Sequence, residues 1–161
     1  MKKLIAIVMM LLPMLAWGQT RTSTQSISVF GIPLGITAGE FRSKQDAIKN
    51  DIPQIVGSKD ARLIISMYTG YKDSDIIWHA VLVVESEYVS VSNEVNTITN
   101  VLNAKYGKPE NSYEINKPCL RWSLKNGCVT AWSENGGKTF YVKFVDYAAL
   151  RKAQPQLFKN L

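Results

Sequence analysis

The residues with the types for chemistry are few and scattered. His79 is the one histidine of the 161 residues. It stands between Trp78 and Ala80 in the apolar run IIWHAVLVV. A catalytic histidine needs a nucleophile or carboxylate partner, and its neighbours supply none; it reads as a core or sheet-face histidine. Cys119 and Cys128 have no histidine nearby, so neither has the setting of a metal thiolate or an activated nucleophile. Asp73-Ser74-Asp75 lacks the rest of a calcium loop and reads as a turn. Glu85 and Glu87 fall at a strand end and face solvent. Carboxylate pairs for glycoside hydrolysis come from distant segments, and no pair is nominated here. The chain holds no P-loop, no G-x-S-x-G and no dinucleotide fingerprint. No catalytic residue, metal ligand or cofactor is therefore nominated, and a binder is expected rather than an enzyme.

The chemistry that remains is recognition, carried by Arg121, Trp132, Tyr141 and Lys143. They fall in CLRWSLKNGCVTAWSENGGKTFYVKFVDY, residues 119–147, which reads as a three-stranded antiparallel meander. Asn126-Gly127 tolerates the positive φ of a type I′ turn, and Gly136-Gly137 marks a second tight turn. Turn positions set register. The first hairpin then pairs Lys125 with Cys128, Leu124 with Val129, Trp122 with Ala131 and Arg121 with Trp132. The second pairs Glu134 with Thr139, Ser133 with Phe140, Trp132 with Tyr141 and Ala131 with Val142. Both registers give one face of Leu120, Trp122, Leu124, Val129, Ala131, Phe140, Val142 and Phe144, a core face. The other carries Arg121, Ser123, Lys125, Thr130, Trp132, Tyr141 and Lys143. On it Arg121, Trp132 and Tyr141 are expected in one lateral row, with Lys143 and Lys125 near. Aromatics among cations suit a sugar, an anionic polymer or a protein hot spot. The plainer alternatives are cross-strand pairing on a solvated face, or a face covered by a terminal segment.

The elements that position this face follow in order. Ile27–Phe30 is a short strand closed by GIPLG. Thr37 and Glu40 form a capping box, opening a helix over 38–50 with Phe41, Ala47 and Ile48 as its buried side; Pro53 bars its continuation. RLIISMYT, 62–69, is a strand, 70–75 a polar turn, and 76–84, apolar on both faces, a central strand. A second helix spans 92–106, with Val91, Val95, Ile98, Leu102 and Tyr106 at helical spacing. Gly107 and Pro109 stop it. A loop over 108–118 leads into the meander, and Asp146 caps a last helix, 147–153. The expectation is a single α+β domain, a mainly antiparallel sheet with the two main helices packed on one face.

Residues 1–18 read as a secretory signal peptide: basic Lys2 and Lys3, the apolar run LIAIVMMLLPMLA, then Ala16-Trp17-Gly18 before a cut at Gln19. The domain would then be 19–161, with 19–26 a polar, flexible leader and no later membrane span, exported to the periplasm or beyond the cell. Removing Lys2 and Lys3 from 19 basic residues leaves 17 against 13 acidic, a net +4. The charges form no basic run, so nucleic acid is not indicated. Export invites a disulfide. The expected hairpin sets Cys119 and Cys128 on the order of 20 Å apart, beyond the ~7 Å that a disulfide spans.

Phe30-Gly31-Ile32-Pro33-Leu34-Gly35, Lys105-Tyr106-Gly107-Lys108-Pro109, Trp122, Gly127, Val129 and Phe144-Val145-Asp146-Tyr147 together resemble an uncharacterised family of small exported proteins from Bacteroides-type bacteria. Ala131, where a larger aliphatic is expected, and residues 50–60 depart from the pattern. The resemblance implies fold and export, and no catalytic residues. In layout the chain is also similar to the β-lactamase-inhibitor-protein-like folds and small outer-membrane assembly lipoproteins, which are binders. The functional expectation is a binding module for an envelope protein or glycan through Arg121, Trp132, Tyr141 and Lys143. The alternatives are an inhibitor of a secreted enzyme acting through loops 70–75 or 108–118, and an envelope hydrolase.

Overall fold

The computed structural model describes residues 27–48, 62–67 and 72–159. The expected signal peptide and leader lie outside them. Strands β1 (Ser28–Val29) and β2 (Ile32–Pro33) form a small hairpin. Phe30 and Gly31 turn it at φ 48° and 83°, so the single strand expected over Ile27–Phe30 folds back on itself. Helix α1 is Ala38–Ile48. The Thr37 hydroxyl accepts the Glu40 N–H at 3.3 Å, and the Glu40 carboxylate turns to Lys44 at 3.6 Å, so half of the capping box forms. Phe41 is buried, but Ala47 is exposed. Six residues beyond Phe41, Ala47 falls off the i, i+3, i+4, i+7 stripe. The expected burial of Ile48 concerns a side chain outside the described residues.

The main sheet contains β3 (Arg62–Met67), β4 (His79–Glu85), β5 (Glu110–Glu114), β6 (Lys117–Leu124), β7 (Gly127–Glu134) and β8 (Thr139–Asp146). Its order is β3-β4-β8-β7-β6-β5, antiparallel throughout. Helix α2 (Ser92–Tyr106) precedes β5, and α3 (Tyr147–Ala153) follows β8. β4 starts later than expected because Ile77 bonds to Ile36 and Gly35, and Ile76 bridges Thr37, instead of a sheet partner. α2 matches its expected span and ends at Gly107, φ 83°. Asp146 caps α3, accepting the Ala149 N–H at 2.9 Å.

Phe41, Ile98, Leu102 and Tyr106 join Leu82, Val84, Trp122, Val129, Val142 and Phe144 in one core. Both main helices thus cover one face, as expected for this α+β fold. The Trp122 Nε1–H donates to the Gly107 carbonyl at 2.8 Å and fixes the end of α2 over β6.

The second hairpin has the expected register, Glu134 with Thr139 through Ala131 with Val142, across Asn135, Gly136 and Gly137, all left-handed. The first differs. Leu124 pairs with Gly127, Trp122 with Val129 and Arg121 with Thr130, so the turn is Lys125-Asn126. Gly127 has no left-handed φ. A Cβ there would collide with the Val145 carbonyl oxygen and Ile27 Cδ1. The glycine serves close approach rather than the turn, and the Asn126 carbonyl is tied to the Tyr147 N–H at 2.7 Å. The pairing moves by two residues, so every side chain keeps its expected face.

The loop expected over 108–118 is a hairpin. β5 pairs with β6 from Glu110 with Arg121 to Glu114 with Lys117, turning at Ile115-Asn116, φ 50° and 63°. ENSYE shows no apolar alternation because it is an edge strand with polar faces.

Candidate functional site

The sheet face away from the main helices carries all four nominated residues. Trp132 and Tyr141 are cross-strand partners and stack at 5.1 Å, 11° between ring planes. Both are half-buried. Arg121 is not in their row. The two-residue shift in the first hairpin sets it opposite Thr130, which in turn faces Lys143. The expected single row is therefore two neighbouring rows: Arg121, Thr130 and Lys143 across β6, β7 and β8, and beside it Trp132 and Tyr141. The cation–π contacts among the described residues pair Lys105 with Tyr106 and Arg151 with Phe158, and Arg121 does not cap Trp132. Lys125 is exposed in the turn.

The Trp132 Nε1–H donates to Glu134 at 2.8 Å, and Lys117 pairs with the same carboxylate. The Lys117 bond first, then that of Trp132, holds the Glu134 pKa below its ordinary value. Each ring gives one face to the other, so the pair presents edges and outer faces rather than a broad platform.

Lys143 reaches the Glu114 carboxylate. Two strands, β7 and β6, lie between them. A flat sheet would separate β8 from β5 by ~14 Å, so the β5 edge coils over this face, in the sense of normal sheet twist. Beneath it Cys119, Cys128 and Thr130 are buried. Burial, then Lys143, lowers the His79 pKa to about 4 against an opposing effect of Glu114, so the imidazole is neutral at pH 7. Burial first, then Glu114, raises the Cys119 pKa and keeps it a thiol. The Tyr147 hydroxyl contacts Cys128 Sγ at 3.6 Å, and that bond leads the rise in the Tyr147 pKa. Both cysteines are free. They face Ser112 and Ser123 in the ladders, about 13 Å apart along β6.

Arg121 also borders a shallow depression of about 210 Å³ with Lys108, Glu110 and Ser123. It is smaller than the ~300–1,000 Å³ of small-molecule clefts. Asp73 pairs with Arg42, and Asp75 accepts the Lys72 N–H at 3.1 Å, so this segment is a turn. Glu87 is exposed, whereas Glu85 is half-buried beside Thr139.

Three residues of the face were not singled out in the sequence. Thr130 is 1% exposed, and its Oγ1 is buried without a hydrogen-bond partner among the described residues. Its place on the cationic face was legible, its burial was not. Glu114 and Ser112 needed β5 to be recognised. No helix among the described residues is long and apolar enough to cross a membrane. Comparison of the chain with protein-family models, with curated proteins and with solved structures finds no match.

Proposed function

We propose that the protein is an exported, non-enzymatic binding module that contacts an envelope protein or glycan through the sheet face opposite its two main helices. The observation that carries this reading is the stacked, half-buried pair Trp132 and Tyr141 beside the cationic row of Arg121 and Lys143. Rigid aromatics among cations favour recognition because they bring contact area at little conformational cost. The basic start, apolar run and Ala16-Trp17-Gly18 support export, and the resemblance to small exported Bacteroides-type proteins is part of the same proposal. The test is capture from envelope extract on immobilised residues 19–161. A partner held by wild type and lost by folded Trp132→Ala/Tyr141→Ala supports the reading. Capture unchanged in that variant rejects this face.

One observation favours a second reading, an inhibitor of a secreted enzyme. The β5–β6 tip projects Tyr113, 73% exposed, and Ile115, 81% exposed. Ile115 is β-branched at φ 50°, a conformation such residues rarely adopt, and strained exposed tips are common in ligand clamps. Inhibition of a secreted hydrolase, abolished in Tyr113→Ala, would favour it over the first reading.

A further inference from the structure

Resting on the face reading above, we infer that Arg121, Thr130 and Lys143 form a carboxylate subsite for one acidic side chain on an extended segment of a partner protein, partly occupied in the free protein by Glu114. The three residues lie side by side on consecutive strands. They offer a guanidinium fork, a hydroxyl and an ammonium, all donors toward a carboxylate. Thr130 is 1% exposed and its Oγ1 has no partner among the described residues. A buried hydroxyl left unmatched between two cations is a donor without its acceptor. Arg121 forms no ion pair among the described residues; its guanidinium hydrogen-bonds the Tyr147 hydroxyl, a weaker partner than a carboxylate.

The structure also contains a sample of the occupant. Glu114 is a glutamate on an extended strand, and it reaches over the sheet to Lys143. Its carrier β5 is at the sheet edge and is bonded to β6 alone, so it can move without breaking the rest of the sheet. The surroundings define the class further. Val81, Val83 and Val145 lie half-buried on this face, beside Tyr141 and Trp132, and accept the apolar neighbours of an acidic residue in a peptide. Glu85, Glu110 and Glu134 share the face and repel a polymer charged at every unit. One carboxylate between apolar side chains meets both conditions.

The experiment is an NMR titration of the full exported chain with a short capped peptide holding one glutamate between two valines, beside its glutamine counterpart and polygalacturonate. The glutamate peptide is expected to bind, shifting the Thr130 amide, and the glutamine peptide to bind about tenfold more weakly. Glu114→Gln, which empties Lys143, is expected to tighten binding by about threefold to tenfold, and a gain of affinity does not arise from misfolding. Arg121→Ala is expected to weaken it. Equal binding of both peptides, or no tightening in Glu114→Gln, overturns the subsite. Polygalacturonate bound in preference to the peptide overturns the peptide occupant. Envelope capture that needs Trp132 and Tyr141 but ignores Arg121→Ala and Glu114→Gln rejects the subsite and leaves the binding face standing. Loss of capture dependence on all four residues rejects both.

Discussion

Thr130 is where stability and the proposed recognition diverge. Valine has nearly its shape and suits a strand, yet the chain keeps a hydroxyl there that has no partner among the described residues. Burying such a group costs about 1–3 kcal/mol, so Thr130→Val is expected to raise stability by about 1 kcal/mol in urea denaturation while impairing capture of an acidic partner. A lower urea midpoint would mean that the hydroxyl is bonded in the folded chain. His79 makes an opposite kind of demand. Its folded pKa of about 4 lies below the 6.5 of a free imidazole, so between those values the unfolded chain binds the extra proton. The stability tied to neutral His79 is whole above pH 6.5 and is lost as pH falls toward 4. Lys143 on β8 enlarges this effect and Glu114 on β5 reduces it. Because part of the ring meets solvent, the loss is expected to be about 1–2 kcal/mol. Urea midpoints at pH 7 and 4.5 should differ more in wild type than in His79→Gln, and equal differences would show that the imidazole is not the group that titrates.

Among the elements, the meander was legible because its side chains alternate, and alternation specifies a face before it specifies a partner. The first hairpin shows the limit. Placing the turn at Asn126-Gly127 or at Lys125-Asn126 changes the pairing by two residues and leaves every side chain on the same face. The core face is the same under either turn, while Arg121 lies in the row of Thr130 rather than that of Trp132. What decides between the turns is remote: Gly127 lies against the Val145 carbonyl and Ile27, contacts that no local pattern encodes. Gly127→Ala is accordingly expected to destabilise the domain by about 2–3 kcal/mol through overpacking, far beyond the few tenths typical of a turn glycine with ordinary φ. A thermal shift within experimental error would return Gly127 to the turn. α2 and α3 were legible to their ends because Gly107, Pro109 and Asp146 act locally. β5 was missed because an edge strand with two polar faces needs no apolar period, and Asn116 at its turn competes with other turn formers nearby, Pro109, Asn111, Ser112 and Pro118.

For the whole molecule, the order β3-β4-β8-β7-β6-β5 sets β8 beside β4, far from it in sequence, and no local period reports such a pairing. That topology spends one sheet face on the helices and leaves the other to Trp132, Tyr141 and a mixture of charges. The mature chain would carry +4, too little for a field that attracts any polyanion at a distance. Attraction to the proposed partner would therefore come from the few cations on the open face, Arg121 and Lys143, acting at contact distance. Screening separates this from apolar docking. The Debye length falls from ~10 Å at 0.1 M salt to ~3 Å at 1 M, and half-buried pairs are screened less than exposed ones. Affinity for the captured partner is expected to fall by about threefold to tenfold between 0.05 and 0.5 M sodium chloride, measured by titration calorimetry. It should fall less in Arg121→Ala, which has one cation fewer to screen. An affinity unchanged by salt in wild type would assign the contact to Trp132, Tyr141 and the valines, with the cations serving only to fold Glu114 across the face.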